Sequence, residues 1–250
     1  MKSLKIMVVT AVLALGVSIG SVYAEGPEVS GSASVDVMSN YVWRGLKLSN
    51  AYVVQPSVGI TYGGFGANLW ANWDSDWMDS GEHTETDLTL NYVFSKDKFS
   101  LDTGYIYYAL EGSPNDTQEV YMSASFDVVL SPALTVYYDF EEGHGAFIVA
   151  SIGHSFEFSE GVTFDVGASA GFNAENLVMG TDADGEAFSD FYNADLSASL
   201  SIPISDAVSV APMIAYTFPL SDDAENAIEM FSDDSDSTTV YGGINATLSF

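Results

Sequence analysis

The chain has 250 residues, with 6 Lys+Arg against 35 Asp+Glu, a formal net charge of -29 and no cysteine. Hydrophobic residues make up 47%, an ordinary globular share that argues against disorder. Missing cysteine excludes disulfides, zinc–thiolate sites, iron–sulfur clusters and thiol nucleophiles. The acidity excludes a nucleic-acid partner, because phosphate contacts need Lys and Arg.

Residues 1–24 read as a secretory signal peptide. Lys2 and Lys5 make the positive n-region, residues 6–17 the apolar h-region, and Val22-Tyr23-Ala24 a small-residue cleavage site before Glu25. The apolar stretch is short for a membrane helix. Losing Lys2 and Lys5 takes the mature charge to -31 and leaves Arg44, Lys47, Lys96 and Lys98 as the cations. No later apolar run approaches the roughly 18 residues of a spanning helix. Residues 25–250 are therefore expected to be one exported domain: secreted, periplasmic, or an outer-membrane β-barrel.

From there the pattern has period two, the mark of strands with one apolar face. A less regular strand is expected over 32–45. Over 52–62 the even positions are apolar. At 65–74, Phe65, Ala67, Leu69, Ala71 and Trp73 alternate with Gly66, Asn68, Trp70, Asn72 and Asp74. Further strands follow at 87–94, 99–107, 120–126 and 134–140. The segment 146–156 is apolar on both parities, so its facing stays open. Strands at 162–172, 194–202, 208–218 and 240–250 bring the expected number to twelve.

The connections alternate in length. Short turns at 63–64, 95–98, 128–132, 157–161 and 203–207 alternate with mostly longer loops at 46–50, 75–86, 110–117, 141–145, 173–190 and 219–237. An even strand count with this alternation predicts an all-β fold, a closed antiparallel transmembrane barrel with short periplasmic turns and longer exterior loops. Strands of about ten residues match a tilted bilayer span. A soluble sandwich or lipocalin-like barrel would carry Lys, Glu and Arg on its polar faces. These faces carry Gly, Ser, Thr, Asn and isolated Asp instead. Pro56 and Pro212 each remove a ladder bond, so bulges or earlier strand ends are expected there. The last strand places Val240, Gly242, Ile244, Ala246, Leu248 and Phe250 on one face. Its terminal aromatic resembles the signal read by outer-membrane assembly machinery, an expected partner.

Nine carboxylates are expected on strands: Asp36, Asp74, Asp87, Asp102, Glu119, Asp127, Asp139, Asp165 and Asp195. All nine fall on the polar parity, as a lipid-facing wall demands. Twenty more acids belong to the longer loops. These suit a solvated surface, or bridging through divalent cations to outer-membrane lipid and lipopolysaccharide. Asp182-Ala183-Asp184-Gly185-Glu186 lacks the full spaced set of a calcium loop.

Twelve strands spaced about 4.8 Å and tilted about 40° give a backbone radius of roughly 12 Å. A narrow channel is expected, lined by those nine carboxylates together with Arg44, Trp70, Tyr121 and Tyr137, and preferring cations or small neutral solutes. Arg44, the sole arginine, reads as an ion-pair hub holding the wall or an inward-folded loop, or as a constriction residue. Trp70, Tyr108, Tyr121, Tyr137 and Tyr241 on the polar parity either fill space or stack on sugar rings. Tyr52, Trp43, Trp73, Tyr92 and Tyr216 on the apolar parity suit aromatic girdles.

Catalysis is not expected. A lipolytic barrel needs a Ser–His pair. His83 and His144 sit in loops, and His154 points away from its neighbour Ser155 if both lie on a strand. No nucleophile elbow, metal-ligand cluster, phosphate loop or cofactor motif is present.

The segment Asn40-Tyr41-Val42-Trp43-Arg44-Gly45-Leu46-Lys47-Leu48-Ser49, then Gln55-Pro56-Ser57, then Gly64-Phe65 leading to Trp70-Ala71-Asn72, resembles the TorF family of porin-type Gram-negative outer-membrane proteins. Glu85-Thr86-Asp87-Leu88-Thr89-Leu90-Asn91-Tyr92 looks like the continuation of the same pattern. The match covers about residues 32–94. The resemblance implies an outer-membrane barrel of porin type. It marks Arg44 as part of the motif and supplies no substrate or catalytic residue. A narrow porin is the first expectation. A non-conducting structural or surface-interaction barrel is the second, and an outer-membrane lipase the third.

Overall fold

A strand apolar on one face and polar on the other must satisfy both faces and both edges. Closing the sheet on itself removes the edges and gives each face its own medium. The computed structural model describes residues 29–76, 81–111, 113, 115–232 and 236–250. The expected signal peptide and Asp233 and Asp234 lie outside the described residues.

The wall consists of β1 (Val29–Met38), β4 (Val53–Tyr62), β5 (Phe65–Asp74), β6 (Glu82–Lys96), β7 (Phe99–Leu110), β8 (Thr117–Phe126), β9 (Ala133–Asp139), β10 (Gly145–Glu157), β11 (Thr163–Ala174), β12 (Ser189–Pro203), β13 (Val208–Pro219) and β14 (Thr239–Ser249). Neighbours in sequence pair antiparallel, and β1 closes the ring against β14. The last residue is tied into that seam. Gly31 N–H donates to the Phe250 carbonyl at 2.7 Å, and Phe250 N–H to the Gly31 carbonyl at 2.9 Å. The apolar parity points outward, with Leu69, Leu90, Met122, Leu134, Ile214 and Ile244 exposed on the outer face.

Several expectations change in detail. The first strand ends at Met38 rather than at residue 45. The chain then turns inward and builds a small hairpin, β2 (Val42–Trp43) against β3 (Leu46–Lys47). Arg44 and Gly45 make its two-residue turn at φ 50° and 87°, the doubly left-handed geometry that matches strand twist. Trp43 is consequently no girdle residue. It stands inside, edge-on to Tyr108 with ring centroids 6.0 Å apart. Wall parity stops at Met38 and cannot be read across the inward turn.

The prolines create no bulge. The β4–β5 ladder skips from Val54–Trp73 to Ser57–Trp70 around Pro56, and β12–β13 skips from Ser199–Met213 to Ile202–Val210 around Pro212. Register is unchanged on either side. The opposite neighbours stay paired, as Val35–Pro56 and Pro212–Ile244. The bulges lie elsewhere, at Asn72/Trp73 and Ala170/Phe172. In the ambiguous 146–156 segment, Phe147 and Val149 face the lumen, while Ile152 and Phe156 face out. Asp127 lies one residue past β8, exposed in the turn rather than on the wall, because β8 ends at Phe126. Glu85, expected in a loop, is buried on β6, because that strand begins at Glu82.

One helix interrupts the long connection after β13: α1 (Asp222–Phe231). Ser221 caps it, accepting from Ala224 N–H at 3.2 Å, and Asp222, Asp223 and Glu225 fill the first turn. Both features favour a helix start. Among the described residues no helix is long and apolar enough to cross a membrane.

Candidate functional site

The lumen divides into two halves along the barrel axis. At the long-loop end it is filled. The hairpin of β2 and β3 crosses the interior and reaches five wall strands, β7 to β10 and β12. Arg44 makes a two-pronged salt bridge to Glu119 on β8, Nη1–Oε1 and Nη2–Oε2 both at 2.7 Å. Tyr108 on β7 donates to Glu119 Oε2 at 2.8 Å. The guanidinium lies over the rings of Trp43, Tyr137 and Phe147, at 4.4, 4.3 and 4.9 Å from their centroids. Burial alone would depress the Arg44 pKa, but Glu119, Tyr108 and Tyr137 together outweigh it and hold the cation charged. Planar guanidinium suits this geometry because it accepts stacking and offers two parallel donors. Gly45 approaches β12 closely. A side chain there would meet Asn193 Cβ at 2.9 Å.

Apolar packing completes the fill. Leu46 joins Phe147, Val149, Met179, Phe188 and Tyr192 of the wall and loops with Ala224, Ala227 and Ile228 of α1. The helix turns those three residues inward and its acids outward. Tyr192 donates to the Met179 carbonyl at 2.7 Å, holding the loop after β11 over the same cluster. Nearer the hairpin base, Tyr41 packs on Trp70 with centroids 5.6 Å apart, and its N–H donates to Ser49 Oγ at 2.6 Å. The Tyr41 phenol also bonds Glu85. Burial first, then the charges of Glu85 and Asp87, push its pKa well above the usual value. Each of the twelve wall strands contributes at least one lumen residue no more than 9% exposed, from Met38 on β1 to Tyr241 on β14. Every strand of the wall therefore brings a buried side chain to the filled lumen.

The short-turn half is different. Its lumen face carries Ser32, Ser57, Ser123, Thr135, Ser155, Gly167 and Ser199, all partly accessible. Short hydroxyls bond across strands, as in Ser123–Thr135 at 2.8 Å and Ser57–Asn68 at 2.9 Å. Such side chains leave room for water.

The expected lining residues separate accordingly. Asp36, Asp102, Asp165 and Tyr121 are partly accessible lumen residues. Asp36 accepts from Asn245 at 2.9 Å. Asp102 accepts from Asn91 at 2.9 Å and from Tyr121 at 3.1 Å. Asp165 accepts from Ser155 and Thr163. Arg44, Trp70, Asp87 and Glu119 are buried in and around the hairpin, with Tyr137 stacked beside them. Asp74 and Asp139 shape loops instead. Asp74 accepts from Asp76 N–H at 2.9 Å. Asp139, 0% exposed, takes Thr117 Oγ1 and the N–H groups of Glu141 and Gly143. Asp195 is buried on bonds from Ser169 and Asn193. Asp127 lines nothing.

Sequence reasoning missed the inward course of the first loop and with it Tyr41, Leu46 and Glu85. It also missed α1, although Ala224, Ala227, Ile228 and Phe231 have helical spacing behind a Ser cap, and that signal was readable. His83 bonds the Thr86 hydroxyl at 2.8 Å on the exposed end of β6. His154 lies edge-on to Phe156, while Ser155 faces the lumen and bonds Asp165. Among the described residues no group of three or more His, Asp or Glu side chains is spaced to hold a metal ion.

No family model matches the chain, and no curated protein matches it. Solved structures do. A structure described as KdgM porin superposes with a TM-score of 0.55 at 13% identity, covering 88% of this chain and 99% of that one. The NanC porin structure gives 0.55 at 11% identity, covering 86% and 98%. At such identity the likeness establishes the barrel fold alone.

Proposed function

We propose that this protein is a porin-type barrel of the Gram-negative outer membrane, for diffusion of small cationic or neutral solutes, with its channel closed by its own first loop. One observation carries the reading: the long-loop end is occupied by a hairpin that belongs to no wall strand, packed with α1 and the loop after β11, while the wall beneath it encloses a polar, hydroxyl-lined lumen. A plug built of loop segments can move; a lumen filled by the wall alone cannot. The porin neighbours and the resemblance of the Tyr41–Gly45 segment to the TorF family point the same way. The short-turn half offers Asp36, Asp102 and Asp165 against one arginine that is already paired, which favours cations over anions.

Under this reading the short turns are periplasmic and the acidic loops exterior, where divalent cations bridge them to lipopolysaccharide. The C-terminal strand ending in Phe250 is then what the assembly machinery grips. Single-channel recording of the refolded mature chain tests the channel. Stable steps with cation-favouring reversal potentials are expected, with larger or more frequent openings in Glu119→Gln. Anion selectivity would sink the solute assignment. The packed long-loop end favours a second reading, a non-conducting barrel that works through its loops. Silence in both wild type and Glu119→Gln would establish that one.

A further inference from the structure

Beneath the hairpin, β6 presents two buried side-chain oxygens that no N–H and no neighbouring hydroxyl reaches. Asp87 Oδ1 and Thr89 Oγ1 are buried without a hydrogen-bond partner, in residues only 6% and 1% exposed. Buried polar atoms in native proteins are almost always paired, so an orphan points to an absent water or ion. Two orphans side by side point to a shared one. Residues 87 and 89 stand on the same face of one strand, with Cα atoms roughly 7 Å apart. A single bound atom between them reaches both oxygens.

The charge around this point is unbalanced. Glu85, next on the same face, is hydrogen-bonded to Asp87 and receives the Tyr41 hydroxyl. Glu119 is the third carboxylate nearby, and Arg44 and Tyr108 already occupy it. The arginine therefore balances Glu119 and leaves the Glu85–Asp87 pair to hold either its own proton or a bound ion. Two carboxyl groups approach to hydrogen-bond distance only when they share a proton or a cation. Apolar walls strengthen either attraction by excluding water: Trp70 stands opposite Asp87 on β5, and Tyr108 on β7. A proton shared between Glu85 and Asp87 leaves the Thr89 hydroxyl to a water, whereas one cation takes the hydroxyl oxygen together with both carboxylates. The donors are all hard oxygens, and a carboxyl pair that releases its shared proton on binding calls for a doubly charged ion.

We propose that Glu85, Asp87 and Thr89 hold one hard divalent cation of the Ca2+ type beneath the hairpin, with water completing its coordination. The site differs from the acidic exterior loops in being buried and in including a neutral hydroxyl. Tyr41 donates to Glu85, so the bound ion ties β6 to the base of the hairpin. This inference does not depend on whether the barrel conducts.

Terbium luminescence tests it on the mature barrel refolded in lipopolysaccharide-free detergent. Trp70, Tyr41 and Tyr108 are the built-in sensitisers. The expected result is one Ca2+-displaceable terbium site per barrel. Asp87→Asn and Thr89→Ala should weaken it at least tenfold, Thr89→Ser should restore it, and Asp182→Asn in the exposed loop should leave it intact. Circular dichroism and heat-modifiable gel migration verify folding. If Asp87→Asn does not fold, the Thr89 pair carries the test alone. The proposal falls if wild type shows no Ca2+-displaceable emission, in which case Glu85 and Asp87 share a proton and water fills the gap. It falls equally if Thr89→Ala titrates like wild type.

Discussion

The two halves of the lumen use the same strands and the same alternation, yet they are built on opposite principles. In the short-turn half the inward residues are mostly Ser, Thr, Gly and Asn, and the strands bond mainly to one another. In the long-loop half the inward residues include Phe147, Tyr108 and Trp70, and they pack against chain that belongs to no wall strand. Small polar side chains keep a lumen wet; large ones need something to pack on, and the first loop and α1 supply it. Carboxylates follow the same division. In the wet half they meet hydroxyls and amides. In the dry half Glu119 needs a full countercharge, because an unpaired buried ion is far costlier than an exposed one.

That contrast can be broken most forcefully at Arg44. Arg44→Ala leaves Glu119 buried without its partner, at a cost of about 3–5 kcal/mol to the closed hairpin. At about 1.4 kcal/mol per decade, the displaced population should rise at least roughly a hundredfold. Limited trypsin digestion reads this directly, because Lys47 rides on β3 within the hairpin. Unchanged cleavage after Lys47 would show that the ion pair does not hold the plug.

Leu46→Ala attacks the apolar side of the same closure. Leu46 is 1% exposed and packs on α1, so its truncation should cost about 2–5 kcal/mol. Faster hydrogen exchange in both β3 and α1 is expected. Exchange that quickens in only one of them would mean that the two elements close independently.

Gly45→Ala should come next. The residue would have to adopt φ 87° and press on Asn193, a strain of about 1–2 kcal/mol. The same trypsin assay should show a smaller increase than for Arg44→Ala.

The gentlest changes fall in the wet half. Asp102→Asn should move the urea midpoint little, since hydrogen bonds from Asn91 and Tyr121 are worth about 1 kcal/mol each. It should instead lower cation preference, read as a reversal potential closer to zero. A large stability loss there would mean that the short-turn half is as tightly built as the other.

Much of this was legible in the linear pattern. Period two, the alternating connection lengths and the absence of cations from the polar faces specify a twelve-stranded barrel with its apolar face outward. These features are local, and lipid and water enforce them one residue at a time. The facing of 146–156 was not legible, because both parities are apolar; only pairing with β9 and β11 decides it. Nor was the inward turn after Met38. Residues 32–45 alternate well enough to pass as one strand, and the choice between wall and lumen depends on partners from β7 to β12 that lie far along the chain.

The sequence by itself determined the barrel, its strand count, the outward apolar band and the lumen parity of its carboxylates, because each follows from matching short segments to two solvents. Tertiary structure decided which carboxylates meet water and which meet Arg44. That outcome depends on a loop crossing roughly 20 Å of enclosed space to bind distant strands, and no local pattern encodes such a distance.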